Sequence, residues 1–188
     1  MKLIAPLLLI VSLAAHADDR DQAAFAHWSA SHGTEAFQQF LQSRKIAPVV
    51  PLYQLLRSAT DWRRCNAAPF AVPPADHWPA VESTLRLVAT LKEHGMLSLF
   101  EVVSAYRDAA LNRCANGSQH SAHLQAFAVD LEFPEGSADA GHLCEFWKQQ
   151  GGQWQMGLSR YPSGRVHIDT AGYRTWGEDY SAKTSYCR

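Results

Sequence analysis

Three residues of the 188-residue chain have the types and spacing of metal ligands: His123, Asp130 and His167. Asp130 interrupts Ala126–Phe133, where Phe127, Val129, Leu131 and Phe133 alternate with Ala126, Ala128 and Asp130. A period of two describes a strand with one face packed on a core, and here it sets a carboxylate among alanines. A lone buried carboxylate is costly. Asp130 is therefore expected either to hold a metal or to pair with an arginine at a strand edge. In Val166-His167-Ile168-Asp169 the same alternation sends Val166 and Ile168 inward and leaves His167 and Asp169 on one face. A strand carrying His167 towards His123 and Asp130 would bring together two nitrogens and one carboxylate oxygen. Three protein ligands with the fourth position left to water describe a catalytic zinc site; structural sites close with four, usually including cysteine. His27, His32, His77, His94 and His142 have no partner pattern, whereas His120 borders the same region as His123.

The cysteines have a different use. Cys65, Cys114, Cys144 and Cys187 are widely spaced, with no C-x-x-C pair, and an even count in an exported chain predicts two disulfides. Of three possible pairings, Cys65–Cys114 and Cys144–Cys187 are expected, because each ties one half of the chain. Export is predicted from Lys2, the apolar run Leu3–Leu13 and the Ala15-His16-Ala17 ending, which match the parts of a cleavable signal. Residues 1–17 are accordingly expected to be removed, leaving residues 18–188 as one monomeric domain, periplasmic or secreted. The apolar run falls short of the roughly 20 residues that span a bilayer. A net charge of −1 without a basic block disfavours nucleic acid and anionic lipid as partners.

The elements that must position these residues follow from periodicity. Asp18–His32 is polar and expected to be loosely held. Helices are predicted from Glu35 to about Arg44, from Leu52 to near Trp62, from Asp76 to Gly95 with Val81, Leu85, Val88 and Leu91 on one face, and from Ser137 to Gly151. Strands are predicted at Leu97–Ser104 and Ala126–Phe133, with an antiparallel hairpin of Trp154–Arg160 and Arg165–Thr170 about the turn Tyr161–Gly164. A polar loop is read from Asn112 to His120. The order indicates an α+β fold, helices packed on a small antiparallel sheet that carries an open zinc site and two disulfides.

Ser104-Ala105-Tyr106-Arg107, Asn112, Ser121-x-His123-x-x-Ala126-x-Ala128-x-Asp130, Gly157, Tyr161, Val166-His167-Ile168-Asp169 and Arg174-x-Trp176 together resemble the D-alanyl-D-alanine metallopeptidases. These zinc carboxypeptidases and endopeptidases trim bacterial peptidoglycan and are related in fold to lysostaphin-type enzymes and the hedgehog signalling domain. The resemblance covers about residues 104–176. It implies zinc held by His123, Asp130 and His167, a substrate-facing Arg107 at the oxyanion or a carboxylate, and Ser121 orienting the loop or the peptide. Arg107 otherwise reads as a surface ion-pair residue beside Asp108. Two departures stand out. The motif glycine is Ala126, and the glutamate many members carry three residues before the last ligand is Gly164, with Arg165 where others have histidine. A peptidase needs a proton acceptor. Asp169, about 7 Å along the strand from His167 at ~3.4 Å per residue, is the candidate base, or else a partner fixing the histidine tautomer; Glu132 or an acid in Trp176–Asp179 is the reserve. The expected activity is zinc-dependent hydrolysis of peptidoglycan stem peptides at or near D-alanine. The alternative is a module of the same fold that binds cell-wall peptide without cleaving it.

Overall fold

The structure, a computed structural model, describes residues 20–134 and 140–188; the expected signal segment and Ser137 lie outside them. The chain divides into two compact units, up to Thr34 and from Glu35 to Arg188. In the first, 20–29 forms helix α1 where a loose polar stretch was expected. The second contains helices α2 (Glu35–Ser43), α3 (Leu52–Leu55), α4 (Trp78–Glu93), α5 (Ala109–Cys114) and α6 (Ala140–Gln150). Its strands are β1 (Glu101–Ser104), β2 (Ala128–Glu132), β3 (Gly157–Arg160), β4 (Val166–Asp169) and β5 (Arg174–Trp176).

Helix α4 is the central strut. Val81, Leu85, Val88 and Leu91 are buried as their spacing predicts. Pro79 lies in the first turn, and Gly95 at φ +73° ends the helix, a left-handed position that glycine occupies without a steric penalty. Its Thr84 hydroxyl donates to the Phe127 carbonyl at 2.6 Å and lies 3.2 Å from the Thr170 hydroxyl. The helix is thereby pinned to the start of β2 and the end of β4.

The five strands lie in the order β1-β2-β4-β3-β5. All pairs are antiparallel except β3 with β5, which run parallel, so the sheet is mixed where an antiparallel one was expected. Val129, Leu131, Val166, Ile168 and Leu158 are buried on the core side. Three local differences matter. The first strand is confined to Glu101–Ser104, and the first residues of the loop expected from Asn112 to His120 belong instead to α5, where Asp108 accepts from Leu111 N at 2.8 Å as N-cap. Ala126 lies outside the strand, at φ +59°. Disulfides Cys65–Cys114 and Cys144–Cys187 are present, the expected pairing. Among the described residues, no helix is long and apolar enough to cross a membrane.

Candidate metal centre and active site

Strand register assembles the centre. Ser104 faces Asp130, Asp130 faces His167, His167 faces Ser159 and Ser159 faces Trp176. Directly paired residues project from the same side of a sheet, so each of the five strands contributes one side chain to a single transverse row. A second row runs beside it: Ala128, Asp169, Gly157, Arg174. His123 arrives from outside the sheet on a tight turn, Ala122–Gln125. Ser121 caps that turn by accepting from His123 N at 3.4 Å, and Ala126 closes it in the left-handed region. The motif glycine thus has a conformational reason, and alanine occupies its position here at a steric cost of about 1–2 kcal/mol.

His123, Asp130 and His167 are all buried, and one atom of each converges. His123 Nε2 lies 3.2 Å from His167 Nδ1 and 3.3 Å from Asp130 Oδ1, and His167 Nδ1 lies 3.0 Å from the same oxygen. The opposite nitrogens are committed elsewhere. His123 Nδ1 is 2.6 Å from the Ala105 carbonyl, an obligate acceptor, and His167 Nε2 is 2.8 Å from Asp169 Oδ2. Each ring donates outward and therefore presents a lone pair to the middle when neutral. Two lone pairs and a carboxylate oxygen facing one point call for a cation. Tetrahedral ligands at about 2.0–2.1 Å from zinc lie about 3.3 Å apart, which the observed triangle nearly matches. The donor set fits zinc.

The ionisation balance agrees. Burial and then the charge of Arg107 push His123 down to about 4, so it is neutral at ordinary pH. Burial opposes ionisation of Asp130, but its contacts with His123 and His167 outweigh it and hold the carboxyl well below the usual range. Burial likewise disfavours charge on His167, yet hydrogen bonds to Asp130 and Asp169 raise it overall. In the metal-free chain these contacts favour the protonated form of His167.

The other expected site residues divide. A cavity of about 600 Å³ opens over the centre, lined in part by Arg107, Ser121, Tyr161, Arg165, Trp176 and Tyr180. Arg107 borders it, with Nη2 2.6 Å from Asp130 Oδ2 and Nε 3.0 Å from Ser104 Oγ; both readings of Asp130, arginine partner and metal-capable oxygen, meet in one carboxylate. Asp169 does not enter the cleft as expected. It is fully buried beneath His167, held by both Arg174 Nη atoms at 2.9 and 2.7 Å and by Ala171 N at 2.8 Å. A carboxylate so occupied has no opening towards a water in the cavity, and its position matches the tautomer-fixing alternative. Across the sheet Asp169 is flanked by Ala128 and Gly157. Glu132 is exposed and lies 3.4 Å from Arg165, and Asp179 accepts from Ser181 N within its own loop; neither borders the cavity. Among the described residues, the cavity acids are Asp61 and Asp130.

Tyr161, quoted above only as part of a motif, has a larger place than sequence reasoning assigned. Its hydroxyl donates to Asp130 Oδ1 at 3.2 Å, and burial and the nearby Asp130 charge raise its pKa, so it stays a proton donor. The cue in the sequence was its position at the hairpin turn, which returns the chain to the ligand strand.

The family model for peptidase M15 matches residues 54–169, more than half of the chain and all three converging side chains. The chain belongs to the peptidase M15 family, a metallopeptidase family. No curated protein and no solved structure matches it significantly.

Proposed function

We propose that the protein is an exported zinc peptidase that hydrolyses peptidoglycan stem peptides at or near D-alanine bonds. The observation that carries this reading is the triangle of His123 Nε2, Asp130 Oδ1 and His167 Nδ1, with edges of 3.0–3.3 Å, beneath a peptide-sized cavity. These three residues would hold the zinc. The chemistry it supplies when bound is Lewis-acid polarisation of the scissile carbonyl and a lowered pKa for water. The chain's own groups do the rest. Asp169 and Ala105 O hold the two imidazoles in the tautomers that face inward. Arg107 and Tyr161 donate to opposite oxygens of Asp130; the remaining N–H groups of Arg107, and the Tyr161 O–H once a bound substrate draws it from Asp130, would offer donors to an oxygen gaining negative charge. Ser121 sets the turn that delivers His123. Two disulfides suit the oxidising space outside the cytoplasm.

The burial of Asp169 and the glycine at position 164 favour one second reading, a cell-wall peptide-binding module without turnover. Zinc-loaded protein incubated with purified peptidoglycan, with mass spectrometry of the soluble products, decides between them. The peptidase reading expects released D-alanine or cleaved cross-links, abolished by chelation and restored by zinc. Stoichiometric zinc with peptide bound and no product overturns it in favour of the module.

A further inference from the structure

Three guanidinium groups border the cavity, those of Arg107, Arg165 and Arg174. Two are already committed to buried carboxylates: Arg107 to Asp130 at 2.6 Å, and Arg174 to Asp169 through two hydrogen bonds. Arg165 differs. Its Nη1 donates to the neutral Thr60 hydroxyl at 3.0 Å, and its Nε lies 3.4 Å from Glu132, a carboxylate half exposed to water. That Nε is buried and makes no hydrogen bond, its contact with Glu132 being that of an ion pair alone. An ion pair with so exposed a partner is weak. Among the three, Arg165 is the one whose guanidinium no buried carboxylate holds, so its charge is the least compensated.

Its placement is specific. Arg165 O accepts from Tyr161 N at 2.9 Å, so the ladder of β4 continues through Arg165, two positions before His167. Strand alternation puts the two side chains on one face, about 7 Å apart along the strand. The contact with Thr60 joins cavity walls that are 105 residues apart in the chain. A planar guanidinium suits a carboxylate better than any other common peptide group. From a bond cleaved over the metal centre, a reach of one residue ends near this group.

We propose that Arg165 binds a carboxylate of the substrate peptide within one residue of the scissile bond and thereby selects which peptides are cut; this rests on the peptidase reading above. The carboxylate is either the free chain end or an acidic side chain, and the two are separable. The probes are a stem-type pentapeptide ending in D-Ala-D-Ala, the same peptide with its C-terminal carboxylate amidated, and a third with its interior acidic side chains amidated. Each is assayed with zinc-loaded wild type, Arg165→Gln and Arg165→Lys, with zinc content and melting temperature measured in parallel. Binding of the same peptides is followed by calorimetry.

The proposal expects one of the two amidations to lower wild-type kcat/KM by about 10- to 100-fold, as befits a charged hydrogen bond. The effect should lie mainly in KM and be matched in binding. Arg165→Gln should shrink that discrimination to within about threefold, and Arg165→Lys should retain part of it. Loss on C-terminal amidation identifies the chain end and an exopeptidase; loss on interior amidation identifies a side chain. Wild type that ignores both amidations overturns the proposal without needing a folded variant, and so does Arg165→Gln that discriminates as wild type does. If none of the peptides is cleaved, the peptidase reading fails, and carboxylate-dependent binding through Arg165 is still decided by calorimetry.

Discussion

His167 stands between two carboxylates, and their division of its ring explains both. Asp130 takes the nitrogen that faces the cavity, and Asp169 takes the one that faces the sheet. Asp169→Asn is therefore expected to weaken zinc binding by roughly 10–100-fold, with activity recovering at saturating zinc; competition with a chromogenic chelator measures the first and a zinc titration of turnover the second. Failure to recover at full occupancy would return Asp169 to the chemistry. Tyr161→Phe should do the reverse, keeping zinc stoichiometric while kcat falls by about 10²–10³, the usual loss for one donor to a developing oxyanion. Protonation adds a third expectation, for the metal-stripped protein. His123 is depressed from 6.5 to about 4, so its contribution to stability is full above pH 6.5 and is lost as pH falls through 4. His167, raised instead, is protonated in both states below 6.5 and adds no slope there. Melting temperature in chelator should thus decline from pH 6.5 to 4, and much less with His123→Asn. The ligand triad was legible because alternation exposes any polar residue on an apolar strand. The burial of Asp169 was not, because it depends on Gly157 and Arg174, which neighbour it only across the sheet.

Helix α4 could be read from its apolar stripe and its glycine stop, since both are local. Strand β5 could not, because three residues carry little periodicity and their pairing with β3 is set by the long return of the chain. Helix α5 was hidden in a polar stretch for the same reason of length. Two glycine-related positions show how the turns and strands serve the centre. A Cβ on Gly157 would fall 2.2–2.6 Å from the carboxylate atoms of Asp169, so Gly157→Ala must push that side chain off His167. Zinc affinity is expected to fall at least tenfold, with a lower melting temperature; unchanged affinity would separate Asp169 from metal binding. At position 126 the opposite change should help. Ala126→Gly relieves the left-handed strain but loosens the unfolded chain, for a net gain of up to about 1 kcal/mol in chemical denaturation.

The cavity draws its walls from segments between residues 59 and 180, and Cys65–Cys114 ties two of them together beside Ala59–Asp61 and Ala115–Ala122. The bridge closes a 49-residue separation, worth about 4 kcal/mol by loop entropy. Its removal should destabilise the fold by up to that amount and raise KM more than it lowers kcat. The transverse row of Ser104, Asp130, His167, Ser159 and Trp176 bears on folding as well. A slip of β4 by two residues along β2 would leave Val166 and Ile168 packed inward, so the apolar core cannot distinguish it from the native pairing. It would set His167 opposite Ala128 or Glu132 in place of Asp130, and the three converging atoms would part. On the zinc reading, metal capture would proofread the sheet: a zinc ion would select the one alignment in which all the strands agree, and chains in any other alignment would remain empty-handed.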